Sequence, residues 1–166
     1  MSAQRIRAFL AIVAVAALAA ASAGAAQAKR PAASDSIHGI RVGSDFDRVE
    51  ALLERYGPSS RSEADEESER EEKRRGIWSL ARGEYETIIV ESDTRGRVTG
   101  ATGFVRKGSE IPFTSLGIEA EAARWTDSVA MWNVATPQGG YRLLAKGPGR
   151  RARVVTLLSL AVSAGN

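Results

Sequence analysis

Apolar residues recur along this chain with two different periods, and the change of period divides it into segments. Phe46, Val49, Leu52, Leu53 and Tyr56 follow one another at steps of three, three, one and three, which gathers them on one face of a helix. Ser44 stands where an N-cap hydroxyl would accept an otherwise orphan amide, and Asp45 and Asp47 suit the positive end of the helix dipole. Gly57-Pro58 predicts the stop, with glycine as a left-handed cap and proline unable to continue the ladder.

Beyond residue 75 the pattern becomes short and strand-like. Gly76–Leu80, Tyr85–Glu91 and Arg97–Arg106 are runs rich in β-branched and aromatic side chains, separated by Arg82-Gly83-Glu84 and by the turn sequence Ser92–Gly96. Together they predict an antiparallel meander. A second set follows, in which Trp132 of MWNVA answers Trp78, Tyr141 of YRLLA answers Tyr85, and Val154 of RVVTLL answers Val98. The equal Tyr-to-Val spacing and the same order of strand, turn and strand point to an internal repeat. Ile111-Pro112-Phe113 reads as extended, and Thr114–Trp125 as a short helix with Ile118, Ala122 and Trp125 on one side.

These elements predict an α+β fold: an antiparallel sheet of about six strands in two related helix-plus-three-strand units, residues 37–106 and 107–166, with the helices on one face. Hairpin adjacency leaves the pairing between the two halves open.

Two segments fall outside this pattern. Arg5 and Arg7 precede an almost unbroken apolar run, Ala8–Ala23, and Ala26-Gln27-Ala28 has the small-x-small form of a cleavage site, so residues 1–28 read as a signal peptide and the mature chain as periplasmic or secreted. Residues 29–36 (KRPAASDS) read as a flexible leader. Residues 61–75 hold seven acids and five bases, with alanine as the only apolar side chain, which predicts a solvated loop. The loop lacks the spaced oxygen ligands and tight glycine turn of a calcium site.

Composition narrows the chemistry. The chain has 23 Lys+Arg, 20 Asp+Glu, one histidine and no cysteine. Without the first 28 residues the balance is 21 bases against 20 acids. The absence of cysteine excludes disulfides, a thiol nucleophile and a lipid-anchored N-terminus, and with one histidine it leaves no nitrogen and sulfur zinc site. No cofactor is implied. His38 lies near the leader and reads as an incidental surface residue, because a general base has to be held rigidly. Neither a nucleophile elbow nor a Ser-x-x-Lys dyad occurs, and Gly139-Gly140 and Gly147-Pro148-Gly149 read as turns, since no helix with Lys-Ser/Thr follows them.

The charge is unevenly placed. Residues 29–94 hold eleven bases and sixteen acids, and residues 95–166 hold ten bases and four acids. Arg142, Lys146, Arg150, Arg151 and Arg153 gather around the last hairpin, where they would meet an acidic protein, an anionic membrane or cell-wall polymer, or pair with the acidic half. Nucleic acid does not suit an exported chain. Trp78 and Trp132 read as core anchors of the two meanders or, if they point away from the helices, as a binding pair.

The stretch HGIRVGSDFDRVEALLERYGPSS, followed by a charged loop, a tryptophan strand and a hairpin, resembles the small exported outer-membrane-assembly lipoproteins and the β-lactamase-inhibitor-like fold. Val49, Leu52, Leu53, Gly57 and Pro58 occupy the family's helix-core and stop positions over residues 37–106, and the second half is similar to the inhibitors' tandem arrangement. The lipid-attachment cysteine and the inhibitors' disulfides are missing. The resemblance implies a non-enzymatic module that binds another envelope protein. The alternative is a small hydrolase of envelope polymer using Glu86, Glu91, Asp93 or Glu110 at strand ends, although such carboxylates are commonly solvated.

Overall fold

The computed structural model describes residues 33–60, 74–137 and 139–160. The segments read as signal peptide and most of the charged loop lie outside the described residues. Among the described residues there are ten strands: β1 (Ser59–Ser60), β2 (Arg75–Ser79), β3 (Tyr85–Ser92), β4 (Val98–Val105), β5 (Ile111–Pro112), β6 (Arg124–Trp125), β7 (Val129–Thr136), β8 (Gly139–Lys146), β9 (Arg151–Ala152) and β10 (Val154–Leu160). The α-helices among the described residues are α1 (Phe46–Leu53) and the single turn α2 (Phe113–Leu116).

Eight strands form one antiparallel sheet in the order β1-β2-β3-β4-β10-β8-β7-β6, and β5 pairs with β9 in a small second sheet. This corrects the expected α+β fold of two helix-plus-three-strand units. The two meanders β2-β3-β4 and β7-β8-β10 are both present, but they join edge to edge through β4 and β10 into one sheet with a minor helical part. The second helix expected over Thr114–Trp125 is instead α2, a 3-10 turn at Glu119–Glu121 and strand β6. Gly117 in extended conformation ends α2, and Trp125 pairs with Ala130 at the edge of the sheet. Tertiary packing of the aromatic ring therefore overrides a weak local helix preference.

Trp78 pairs with Ile88, and Trp132 pairs with Leu143, each on the outer strand of its meander. Tyr85 and Tyr141 also occupy matching places, opposite Val105 and Ser159. Val98 and Val154 likewise each open the third strand of their meander, opposite Ser92 and Lys146, the last residues of the strands before them.

Helix α1 begins one residue later than expected. Asp45 is extended and its carboxylate accepts the Arg48 amide at 3.2 Å, while the Ser44 carbonyl is taken by the Val98 amide at 2.8 Å. Phe46, Val49 and Leu53 are buried. The Arg74 guanidinium holds the helix from outside, lying 4.4 Å from the centre of the Phe46 ring and bonding to Asp47 and to Glu50.

The residues read as a flexible leader are tied down from Ala33 onward. Ala33 is buried, bridges to Gly117, and its carbonyl accepts the Tyr141 hydroxyl at 3.0 Å. Ile37-His38-Gly39-Ile40 then forms a tight turn in which both central residues have positive φ, 51° and 81°. One apolar cluster spans both halves of the chain, centred on Trp78, Ile88, Val90, Leu143, Trp132 and Leu157.

Candidate functional site

Successive residues of a strand point to opposite faces, so the burial pattern separates an inner from an outer face of the large sheet. Phe46 of α1 lies 6.1 Å from Trp78, and Phe113 of α2 meets Trp125, which meets Trp132, so both helices pack against the inner face. The outer face carries a second set of apolar side chains. Its middle row runs Ile77–Ile89–Thr102–Thr156–Leu144–Met131 across six strands, all half-buried. The row below runs Arg75–Glu91–Gly100–Leu158–Arg142–Asn133, and the row above Thr87–Phe104–Val154–Lys146–Val129. Phe104 and Leu158 are exposed at 37% and 39%, next to the midline where Thr102 and Thr156 share a hydrogen bond of 3.3 Å. A broad apolar surface rimmed by Arg75, Arg142, Lys146 and Arg124 is the form of an interaction site.

Trp78 and Trp132 do not belong to this surface. They are 1% and 0% exposed, which makes them core anchors and puts them out of a partner's reach. Nor do the five bases form one patch. Arg142 bonds to Asn133 at 2.8 Å on the outer face, and Lys146 stands at the far end of the same strand. Arg150 pairs with Asp127 at 3.0 Å, Arg151 donates to the Glu110 carbonyl at 2.9 Å, and Arg153 lies 3.8 Å from the Glu110 carboxylate, all around the small β5–β9 sheet. The basic half thus meets local acids at its loop end and leaves two cations for the sheet.

The sequence did carry a signal for the outer face. Ile88-Ile89, Leu143-Leu144, Val154-Val155 and Leu157-Leu158 are adjacent apolar pairs, and adjacent strand residues must face opposite ways. A strand covered on one face alternates instead.

The carboxylates proposed for hydrolysis are spread apart. Glu91 lies 3.7 Å from Arg75 on the outer face, and Asp93 sits in the β3–β4 turn accepting the amides of Arg97 and Arg95 at 2.8 and 2.9 Å. The Arg97 amide is the main reason the Asp93 carboxyl is held below its ordinary value. Glu110 is likewise held down, by its own amide and that of Gly108. Both stay ionised at neutral pH, which suits turn closure and not proton donation.

A cleft of about 440 Å3 opens where β4 and β10 part. Beyond Gly100 and Leu158 the strands no longer pair, because β4 turns to Gly43 and Ser44 while β10 stays with β8 as far as Gly140. Asp35 and Arg41, 3.0 Å apart, and the amide-bound Asp93 line it, so its acids are already satisfied. No group of three or more His, Cys, Asp or Glu suited to a metal occurs among the described residues.

His38 departs from its expected surface role. Its ring meets Tyr56 edge-on at 4.5 Å and Tyr85 at 6.4 Å, and the Arg82 guanidinium lies 5.6 Å from the centre of the Tyr56 ring. Burial lowers its pKa, opposed by the Glu84 charge, and burial together with Glu84 pushes the Tyr85 hydroxyl up to about 12. A neutral His38 therefore favours the folded state. Above the ordinary histidine value of about 6.5 it makes no difference to stability. As pH falls below that value the unfolded chain takes up the proton first, so stability decreases until the folded pKa is passed. His38→Asn, which tolerates the positive φ, is expected to flatten the dependence of the urea midpoint on pH just below about 6.5. An unchanged slope in the variant would refute this assignment. Asp93 and Glu110 contribute stability lost only at lower pH, in the carboxylate range.

No helix among the described residues is long and apolar enough to cross a membrane. No protein-family profile, no curated protein and no solved structure matches this chain.

Proposed function

We propose that the chain is an exported, non-enzymatic module of the cell envelope that binds another protein through the outer face of its large sheet. The observation that carries this reading is the half-buried row from Ile77 to Met131, with Phe104 and Leu158 exposed beside it on the face opposite both helices. A surface of this extent in water stabilises association by covering apolar area. The signal-peptide pattern of residues 1–28 and the resemblance of residues 37–106 to envelope assembly modules support the location and the class. The committed turn carboxylates of Asp93 and Glu110 argue for binding over hydrolysis.

The test is a photoreactive phenylalanine at position 104, illuminated in intact cells. A discrete protein adduct, lost when Leu144→Glu is added, is the expected result. Adducts to lipid or wall polymer alone would replace this reading with adsorption to an anionic surface, and equal labelling with and without Leu144→Glu would show that the face is not the site.

A further inference from the structure

The three rows of the outer face are self-complementary about its midline. The midline runs between β4 and β10, with β3 and β2 on one side and β8 and β7 on the other, in mirror order. Ile77 and Met131 are the two ends of one row, and Ile89 and Leu144 lie inside them. In the next row Gly100, which has no side chain, lies beside the exposed Leu158, and Glu91 and Arg142 flank that pair.

We propose that this face pairs with the same face of a second copy of the chain, around a two-fold axis parallel to the strands and lying over the midline. The inference rests on the reading of the outer face as an interaction surface and names its occupant. Such an axis exchanges the two sides of the midline and keeps each residue at its level along the strands. Ile77 then covers the partner copy's Met131, and Ile89 its Leu144. Leu158, whose side chain leans over Gly100 of its own chain, meets the partner copy's Leu158 there, and Glu91 meets Arg142. The same rotation sets Thr102 on Thr156 at the centre. An axis perpendicular to the strands would instead stack β3 on β3 and β8 on β8, setting Arg142 against the partner copy's Lys146, like charge on like.

The dimensions agree. Six strands at about 4.8 Å spacing and about five residues of about 3.4 Å each, the span of the three rows, give a face of about 29 by 17 Å. That is about 490 Å2 per copy and about 1,000 Å2 in all, at the lower limit of specific interfaces. Aligned stacking turns one sheet by about 30° on the other, so the match is closest at the centre, where Gly100 and Leu158 lie.

The absence of cysteine from the chain makes the test direct. The purified mature protein, with no other protein present, is expected to have twice the mass of one chain by light scattering. Leu158→Glu, at an exposed position, should return it to a single chain with an unchanged circular dichroism spectrum; Leu144→Glu is a second variant for the same readout. E91C and R142C proteins, mixed and treated with a bis-maleimide matched to the about 10 Å separation of stacked sheets, should crosslink, while neither should crosslink alone. A single-chain mass at every concentration overturns the inference, as does a dimer unaffected by both glutamates or one in which E91C crosslinks to itself. A single-chain mass leaves the envelope-partner reading to the photo-crosslinking result, so the two fail separately.

Discussion

Trp132→Ala is expected to lower stability by about 3 to 5 kcal/mol, a large share of the about 5 to 15 kcal/mol that holds a typical domain folded. The side chain is fully buried, and its edge-to-face contact with Trp125 at 5.8 Å continues to Phe113 at 5.7 Å. Its indole N–H donates to the Ile118 carbonyl at 2.9 Å, which ties the segment after α2 to β7. Removing the ring leaves a cavity, an unpaired carbonyl and a loosened inner layer. Trp78 is equally buried, but its Nε1 has no protein acceptor among the described residues. Phenylalanine at each site separates packing from hydrogen bonding. Trp132→Phe should cost about 1 to 2 kcal/mol more than Trp78→Phe, because only the first strands an acceptor. Urea unfolding followed by far-ultraviolet circular dichroism measures both, and equal losses would show that the Ile118 bond contributes nothing net.

Gly57→Ala should destabilise by about 3 kcal/mol, the upper end of ordinary overpacking. A Cβ at this position would stand 1.8 Å from the Ser79 carbonyl oxygen and 2.8 Å from its carbon. Both are backbone atoms, so no side chain can rotate away. The segment is held from both sides, by Gly57 N–H to the Leu53 carbonyl at 3.2 Å and by the Ala81 amide to the Tyr56 carbonyl at 2.9 Å. Relief requires parting the end of α1 from the end of β2. Gly43→Ala supplies the contrast: φ is 81° and nothing lies within 4 Å, so only the left-handed backbone penalty of about 1 to 2 kcal/mol applies. If the two variants unfold at the same urea concentration, the close approach at Gly57 is not what requires glycine there.

Gly57 also shows how far local reasoning reaches. The sequence marks it as a helix stop with a left-handed cap, but the helix ends at Leu53, four residues earlier, and Gly57 is absent from the positive-φ glycines. Its need for a missing side chain comes from a strand more than twenty residues later, which no local pattern reports. His38 is similar. Its place near a polar leader suggests exposure, whereas Tyr56 and Tyr85 arrive from a helix end and a strand to enclose it.

The elements themselves were legible because each is decided by neighbours in sequence. The helical spacing of Phe46, Val49 and Leu53, the turn at Ser92–Gly96 and the six strand runs of the two meanders depend on side-chain period and turn chemistry alone. The failed second helix had the weakest such support, with glycine and small residues under a tryptophan whose place is set by Phe113 and Trp132. Adjacent apolar pairs such as Ile88-Ile89 and Leu143-Leu144 already declared two apolar faces. Only the tertiary structure decided that β4 meets β10, and with it the one wide sheet, the midline between Gly100 and Leu158, and an outer surface shared by both halves. The physical reason is that pairing between distant strands is a backbone choice among edges of nearly equal local merit. It is settled by which arrangement buries Trp78, Trp132 and their shared core together, a quantity that belongs to the whole chain.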